Sequence, residues 1–346
     1  ADRIREITLA YVRVKEQKQI NFVSRNIFPI YLFSKPPIMQ RRKFLQQGIM
    51  AGAFTLAGAT VIANEIPGKK MNQPVEKPFN LKYAIHDGMF RNSGGNDFID
   101  QLKFAHDMGF RAMEDNGMAE RSPEMQTRIG ETMAKLGMEM GVFVLQKGGN
   151  GANTLAAGKK EYIDIFLAGC RNAVEVAKRV NARWTTMVPG DFERSLPMGI
   201  QTANVIEALR RGVEILEPHN IVMVLEPLSD TPDLFLRHSD QTYMICKAVN
   251  SPSCKILFDM YHMQRNEGNI INNIDKTWDE IAYFQIGDNP HRNEPTTGEV
   301  NYRNIFKHLY EKGYKGVLGM EHGNSKPGKE GELALIKAYR DSDNFL

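Results

Sequence analysis

The sequence predicts an α/β protein whose main domain is a (β/α)8 TIM barrel, preceded by a disordered N-terminal extension and a signal segment. From Leu81 to the C terminus, short runs rich in β-branched and aromatic residues alternate with longer amphipathic runs, which is typical of parallel βα units. Eight such pairs match the roughly 250 residues of one barrel. A doubly wound open sheet is the competing fold, but it favours a glycine-rich turn after its first strand. The segment His86-Asp87-Gly88-Met89 does not supply that GxGxxG turn.

The predicted strands and helices alternate without interruption along the barrel domain. The strands are expected at residues 81–86, 110–114, 138–145, 183–188, 221–226, 254–259, 281–286 and 316–320. The helices are expected at 97–108, 123–136, 158–180, 202–217, 240–249, 269–276, 302–312 and 330–342. Several boundaries carry capping residues: Asp97 and Ser122 precede predicted helices, and Gly109 and Gly137 follow them.

The chain before the barrel has three predicted parts: an extension of doubtful origin, an export signal and a linker rich in Pro and Lys. These parts span residues 1–38, 39–63 and 64–80, and the barrel domain spans 81–346. Paired Arg41 and Arg42, followed by an apolar stretch that ends in small residues, resemble a bacterial twin-arginine signal. A membrane anchor is the weaker alternative, because the apolar stretch 48–63 is shorter than the roughly 20 residues that span a bilayer. We therefore expect a periplasmic protein with no stable membrane anchor.

Charge and cysteine content exclude several classes of partner and site. The formal net charge of +3 is small for this length and gives no reason to expect a nucleic acid or another polyanion as partner. The three cysteines, Cys170, Cys246 and Cys254, form neither a CxxC pair nor a zinc-binding spacing. We expect them to be buried free thiols. The composition is also compatible with a homo-oligomer.

Four polar residues each end an apolar run, and they recur at about the interval of one strand plus one helix. They are Glu226, Asp259, Gln285 and Glu321. Since all strand ends of a parallel barrel point to the same rim, these side chains are expected to converge there. Three carboxylates and an amide oxygen form a set of hard ligands suited to one Mg²⁺ or Mn²⁺ ion. The alternative is that Glu226 or Glu321 caps a neighbouring helix or pairs with Arg292 or Lys147.

Two further residues are predicted to face substrate at the same rim. His262 follows Asp259 by three residues and is expected in the first turn of the next loop, where it can bond a substrate hydroxyl. Arg292 lies in the loop after the Gln285 strand, where it can bind a carboxylate or an oxyanion. The alternative for Arg292 is that it neutralises Asp288 or Glu294.

Four stretches resemble the hydroxypyruvate isomerase family, within the xylose isomerase-like barrels. They are Leu225-Glu-Pro-Leu, Phe258-Asp-Met-Tyr-His-Met-Gln264, the segment from Phe284 to Tyr302, and Gly319-Met-Glu. The resemblance spans about residues 81–346. It implies that Glu226, Asp259, Gln285 and Glu321 hold the metal and that Glu226 and Glu321 are the catalytic acid/base pair. It also implies that His262 and Arg292 contact the substrate.

The expected reaction is the isomerisation or epimerisation of a small hydroxy-carbonyl compound, a sugar or a keto-acid. One glutamate would remove a proton from the α-carbon and the other would return it, through an enediolate that the divalent metal stabilises. A nuclease of the same fold would need a histidine-rich zinc site and a basic rim, which the strand ends do not offer. A non-catalytic periplasmic sugar-binding protein on the same barrel is the remaining alternative.

Overall fold

The computed structural model describes residues 75–346. Within this range, nine parallel strands form a single sheet with the order β3-β2-β1-β9-β8-β7-β6-β5-β4. The strands are β1 (Lys82–Ile85), β2 (Ala112–Met113), β3 (Glu139–Met140), β4 (Val142–Val144), β5 (Trp184–Met187), β6 (Val222–Leu225), β7 (Cys254–Asp259), β8 (Ile281–Gln285) and β9 (Val317–Gly319). The helices are α1 (Arg91–Gly94), α2 (Phe98–Asp107), α3 (Pro123–Leu136), α4 (Lys160–Val180), α5 (Met198–Leu216), α6 (Ser239–Val249), α7 (Met260–Asn266), α8 (Ile270–Thr277), α9 (Tyr302–Glu311) and α10 (Gly328–Asp343).

The sheet curves into a barrel that is nearly closed, because its two edge strands are consecutive in the chain. Only Gly141 separates β3, which pairs with β2, from β4, which pairs with β5. An added Cβ at Gly141 would lie 2.2 Å from the hydroxyl oxygen of Tyr283, so a side chain does not fit where the strand is interrupted. The predicted α/β class and TIM barrel are therefore confirmed. The third predicted strand is in fact two short strands: β3 pairs with β2, and β4 pairs with β5.

The caps read from the sequence form as expected. The Asp97 side chain accepts a hydrogen bond from the backbone N–H of Ile99, and Ser122 accepts one from Met125. Gly137 ends α3 in the left-handed region, with φ at 65°. These groups satisfy backbone donors and acceptors that a helix end leaves unpaired. They therefore fix where the first two long helices start and stop relative to the strands.

Two apolar layers hold the barrel together. The interior is filled by residues from nearly every strand, including Trp184 and Tyr283, whose ring centroids lie 5.6 Å apart. A larger layer packs the outward faces of the strands against the helices. Cys170, Cys246 and Cys254 are buried free thiols in this second layer, as predicted. The barrel interior is thus a packed core, which leaves the rim for chemistry.

The predicted extension and the predicted export signal lie outside the described residues, as does the first part of the predicted linker. The end of that linker, from residue 75, contacts the barrel. The ring of Phe79 lies 4.8 Å from that of Phe110, and the backbone N–H of Asn80 donates to Asp343 Oδ2 at 2.6 Å. Among the described residues, no helix combines the length and the apolar character that a membrane span requires.

Candidate active site

The four predicted metal ligands lie at the carboxyl ends of four consecutive strands. Glu226 directly follows β6, Asp259 and Gln285 are the last residues of β7 and β8, and Glu321 lies two residues after β9. Asp259 pairs in register with Gln285, and Gln285 pairs with Gly319. Strand geometry therefore brings these residues to one sector of the rim. Three of them are buried, and Glu321 is half-buried beside a cavity.

Arg292 connects two of the carboxylates. Its Nη2 atom donates to Asp259 Oδ2 at 2.9 Å and to Glu321 Oε2 at 2.8 Å, while its Nε atom donates to the Glu321 carbonyl at 3.0 Å. The guanidinium carbon lies 4.7 Å from the centroid of the Tyr261 ring. Burial alone would lower the pKa of Arg292, but the Asp259 and Glu321 carboxylates outweigh it and raise the pKa. Arg292 is therefore part of the acidic cluster, and Asp288 and Glu294 are not its ion-pair partners.

The carboxyl groups of the two predicted acid/base residues have unusual proton affinities. Burial, together with the charges of Glu321 and Asp259, raises the pKa of Glu226 well above the usual range of glutamate. Burial raises the pKa of Glu321 to about 7, although Arg292 opposes the rise. The Glu321 carboxylate is also held by Asn116, whose Nδ2 atom donates to Oε1 at 2.7 Å. Raised pKa values of this kind are typical of carboxyl groups at functional sites.

His262 lies on α7, in contrast to the loop turn that the sequence predicted. The helix starts directly after β7 because Asp259 Oδ1 caps it, accepting from the backbone N–H of Tyr261 at 2.8 Å. The backbone N–H of Ser229 donates to His262 Nδ1 at 3.2 Å. Since Nδ1 accepts, the neutral imidazole carries its proton on Nε2. Burial lowers the pKa of His262, which favours this neutral form.

The proton on Nε2 decides whether His262 is a metal ligand or a hydrogen-bond donor. One ligand atom each from Glu226, Asp259 and His262 lie within 4.8 Å of one another, which is compatible with a three-ligand metal site. The Nε2 atom itself lies 3.5 Å from Asp259 Oδ2 and 3.9 Å from Glu226 Oε1. A protonated nitrogen donates a hydrogen bond and does not bind a cation. The geometry therefore favours His262 as a hydrogen-bond donor beside the carboxylates.

Glu114 is a site residue that the sequence analysis missed. It directly follows β2 and is fully buried. The Tyr283 hydroxyl donates to its Oε2 atom at 2.7 Å, and Gln285 Nε2 donates to its Oε1 atom at 3.2 Å. His86 Nε2 also contacts Oε1. The signal that was overlooked is the same one that identified the others: Glu114 is the polar residue that ends the predicted strand 110–114.

The donor set fits a hard divalent cation. Glu226 and Asp259 bring buried carboxylates close together, and Arg292 donates to Asp259 but not to Glu226, so the guanidinium does not pair the charge of Glu226. Gln285 is 1 % exposed, and its Oε1 atom has no hydrogen-bond partner among the described residues. Buried polar atoms rarely stay unpaired in the absence of a ligand. Carboxylate and amide oxygens are the donors that Mg²⁺ and Mn²⁺ prefer, so the chemistry of all four predicted ligands suits such an ion. Glu226 and Asp259 have ligand atoms within 4.8 Å of each other, and Gln285 and Glu321 lie at the neighbouring strand ends, Glu321 outside that 4.8 Å group.

A cavity of about 610 Å³ lies next to these residues. Glu226, His262, Arg292 and Glu321 contribute to its wall. Lys147 and Thr186 line the same cavity, and both are buried. The Lys147 ammonium donates to the Gly149 carbonyl at 3.1 Å and also contacts the Ala152 carbonyl, so it is not paired with Glu226 or Glu321. The volume is sufficient for a small polar metabolite.

Comparison with known proteins identifies a family and several relatives. Residues 102–341 match the model of the family described as xylose isomerase-like TIM barrel. The hydroxypyruvate isomerase of Escherichia coli is 31% identical over 177 residues, which cover 51% of this chain and 68% of that protein. The 2-oxo-tetronate isomerase of Cupriavidus necator is 29% identical over 267 residues, covering 75% of this chain and 98% of that protein.

Solved structures show the same architecture at low sequence identity. The 3-keto-D-glucoside 4-epimerase of E. coli superposes with a TM-score of 0.63 at 17% identity, covering 75% of this chain and 99% of that one. A D-psicose 3-epimerase of Clostridium cellulolyticum superposes with a TM-score of 0.59 at 16% identity, covering 76% of this chain and 92% of that one. At such identities the likeness establishes the fold alone.

Proposed function

Because the chain belongs to the xylose isomerase-like TIM barrel family, we propose that it is a divalent-metal-dependent isomerase or epimerase of a small hydroxy-carbonyl compound. The observation that carries the proposal is the pair Glu226 and Glu321, two carboxyl groups that line one cavity beside Asp259 and the unpaired Gln285 oxygen. The relatives that act on hydroxypyruvate and 2-oxo-tetronate make short hydroxy keto-acids the first substrates to test. Ketoses are the second class, by analogy with the epimerases of the same fold.

The two glutamates are assigned the proton transfer. One carboxylate removes the proton from the carbon next to the carbonyl, and the other group returns a proton to the neighbouring carbon or to the opposite face. Glu321 is a base while it is ionised and an acid once it has taken up the proton, so one carboxyl group can serve in both roles. Asn116 and Arg292 hold the Glu321 carboxylate in place. A bound divalent ion would act as a Lewis acid and stabilise negative charge on the reacting oxygens.

His262 and Arg292 are assigned to substrate binding. With Nδ1 fixed by Ser229, the Nε2–H group of His262 donates to a substrate oxygen. Arg292 provides positive charge on the cavity wall, where it favours a carboxylate or a developing oxyanion. The positive φ of Arg292, 54°, belongs to a tight loop that returns the side chain to the cluster. The same two residues orient the substrate relative to the glutamates.

The proposal is tested with purified protein freed of metal by chelation. The assay offers hydroxypyruvate, 2-oxo-tetronate and a panel of ketoses, each with and without Mn²⁺ or Mg²⁺. We expect turnover of at least one substrate that requires the added ion. A protein that binds a sugar tightly but neither converts it nor exchanges its protons with solvent would instead be the non-catalytic sugar-binding alternative.

A further inference from the structure

The amide of Gln285 is held in one orientation by a residue outside the proposed ligand set. Its Nε2 atom donates to Glu114 Oε1 at 3.2 Å, and this contact leaves Oε1 of Gln285 as the free atom of the amide. A flipped amide would place its oxygen against the Glu114 carboxylate, where two acceptors repel each other. The orientation is therefore set by charge, and it decides which atom of Gln285 is available as a ligand.

Glu114 is itself fixed by its surroundings. It is fully buried, the Tyr283 hydroxyl donates to Oε2 at 2.7 Å, and His86 contacts Oε1. The barrel wall makes room for this carboxylate at Gly319, because an added Cβ there would lie 1.9 Å from Glu114 Oε2. A buried carboxylate is costly, and it is retained here with a complete set of donors.

We propose that Glu114 is the positioning residue that orients the Gln285 amide and presents its oxygen to the divalent ion. This inference rests on the proposed function, since it assumes that Gln285 is a ligand. The negative charge of Glu114 also polarises the amide toward its oxygen, which makes Oε1 a stronger electron-pair donor. Groups that orient metal ligands in this way typically contribute about 10- to 100-fold to metal affinity or activity.

The first test is the substitution Glu114→Gln, which keeps the side-chain shape but removes the charge. A glutamine at this position can offer either an acceptor or a donor to Gln285, so the Gln285 amide is no longer confined to one orientation. We expect Mn²⁺ to bind about 10- to 100-fold more weakly in titration calorimetry. The control is Glu332→Gln, which removes another buried carboxylate, one that accepts from the Asn92 backbone N–H at 2.7 Å. The control variant should bind Mn²⁺ as the wild type does.

The second test exchanges the two residues, which separates orientation from general disruption. Gln285→Glu alone places two carboxylates face to face and should weaken Mn²⁺ binding and lower the thermal stability. In the double variant Glu114→Gln/Gln285→Glu, the amide is at position 114 and the carboxylate is at position 285. The amide donates to one carboxylate oxygen, and the other oxygen can bind the ion. We expect the double variant to bind Mn²⁺ at least tenfold more tightly than Gln285→Glu, because these two variants share the carboxylate ligand at position 285 and differ only at position 114. A structural role for Glu114 alone does not predict this recovery.

The outcomes distinguish the inference from the proposed function. If the wild-type protein binds no divalent ion, the proposed function fails and the inference fails with it. If the wild type binds Mn²⁺ and Glu114→Gln binds it equally well, or if the exchanged pair shows no recovery, only the role of Glu114 is overturned. If Glu114→Gln does not fold, Tyr283→Phe is used in its place, because it removes one hydrogen bond to Glu114. This variant should bind Mn²⁺ several-fold more weakly. Unchanged binding would contradict the positioning role of Glu114.

Discussion

At the scale of single residues, the central assignment is that Glu226 and Glu321 move a proton. Replacing either by Gln keeps an oxygen that can contact a metal but removes the base. We expect Mn²⁺ binding to persist in Glu226→Gln and in Glu321→Gln, while turnover falls by roughly 10²–10⁴. Steady-state kinetics together with metal titration of each variant measures both quantities. Near-normal turnover in both variants would show that the two glutamates are ligands only.

Lys147 gives a residue-scale prediction about stability. Burial lowers the pKa of Lys147 to about 8 from 10.5, although Asp191 opposes the shift. Between pH 8 and 10.5 the unfolded chain holds a proton on this lysine that the folded protein has released, so stability rises with pH in that window. From pH 8 to pH 10.5, the free energy of unfolding of the wild type should rise on the order of 3 kcal/mol relative to that of Lys147→Met. Below pH 8 the difference between the two should be constant.

Urea unfolding at several pH values between 7 and 10.5 measures this difference. The control is Lys135→Met at an exposed lysine, whose side chain is 78% accessible. It controls for the loss of a lysine side chain that is not buried. A wild type that shows no gain over Lys147→Met as the pH rises would mean that Lys147 keeps an ordinary pKa in the folded state.

The sequence was sufficient to place most of the site because position along a barrel strand determines where a side chain points. Glu226, Asp259, Gln285 and Glu321 were found in this way, and the structure places all four at one rim. The orientation of the Gln285 amide and the protonated nitrogen of His262 could not be predicted. They depend on Glu114 and on the Ser229 backbone, each of which is remote in sequence from the residue it orients.

At the scale of elements, β9 is predicted to tolerate only glycine at position 319. An added methyl group would meet the Glu114 carboxylate at 1.9 Å. We expect Gly319→Ala to lower the free energy of unfolding by about 1–3 kcal/mol, as overpacking of a core does. Urea denaturation followed by circular dichroism measures the loss. Gly199→Ala in α5 is the control, because nothing lies within 4 Å of its added Cβ, and it should leave stability unchanged or slightly raised. Equal stability of the two variants would contradict the packing argument.

Element boundaries were predictable where capping residues mark them. They were not predictable where one element follows another with no loop between them. The limits of α3, between Ser122 and Gly137, agree with the sequence analysis to the residue. Helix α7 was missed because Asp259 ends a strand and caps a helix at once, which leaves no turn signal between them. The interruption at Gly141 was missed because it also lacks a turn signal. A single glycine in an apolar run does not reveal that the residues before it and the residues after it pair with different strands.

At the scale of the whole chain, the segment 39–63 leads to a prediction of export. If Arg41 and Arg42 belong to a twin-arginine signal, the protein should accumulate outside the cytoplasm and be cleaved near residue 63. Replacing both arginines by Lys preserves the charge and should abolish export. Cell fractionation with detection by antibody measures this, and mass spectrometry gives the mature N terminus. An unchanged periplasmic yield from the double variant would rule out the twin-arginine route.

The central claim, metal-dependent proton transfer by the two glutamates, is tested most directly by proton exchange with solvent. Chelator-treated protein is incubated with hydroxypyruvate in D₂O, and loss of the C3 proton signal is followed by nuclear magnetic resonance with and without Mg²⁺, which does not broaden the spectrum. Our account predicts exchange that requires the ion and falls by at least roughly 10²-fold in the double variant Glu226→Gln/Glu321→Gln. If hydroxypyruvate is inert, the same measurement is repeated with 2-oxo-tetronate and the ketose panel. Exchange that proceeds equally without metal or without the two glutamates, or that is absent for every substrate, would contradict the account.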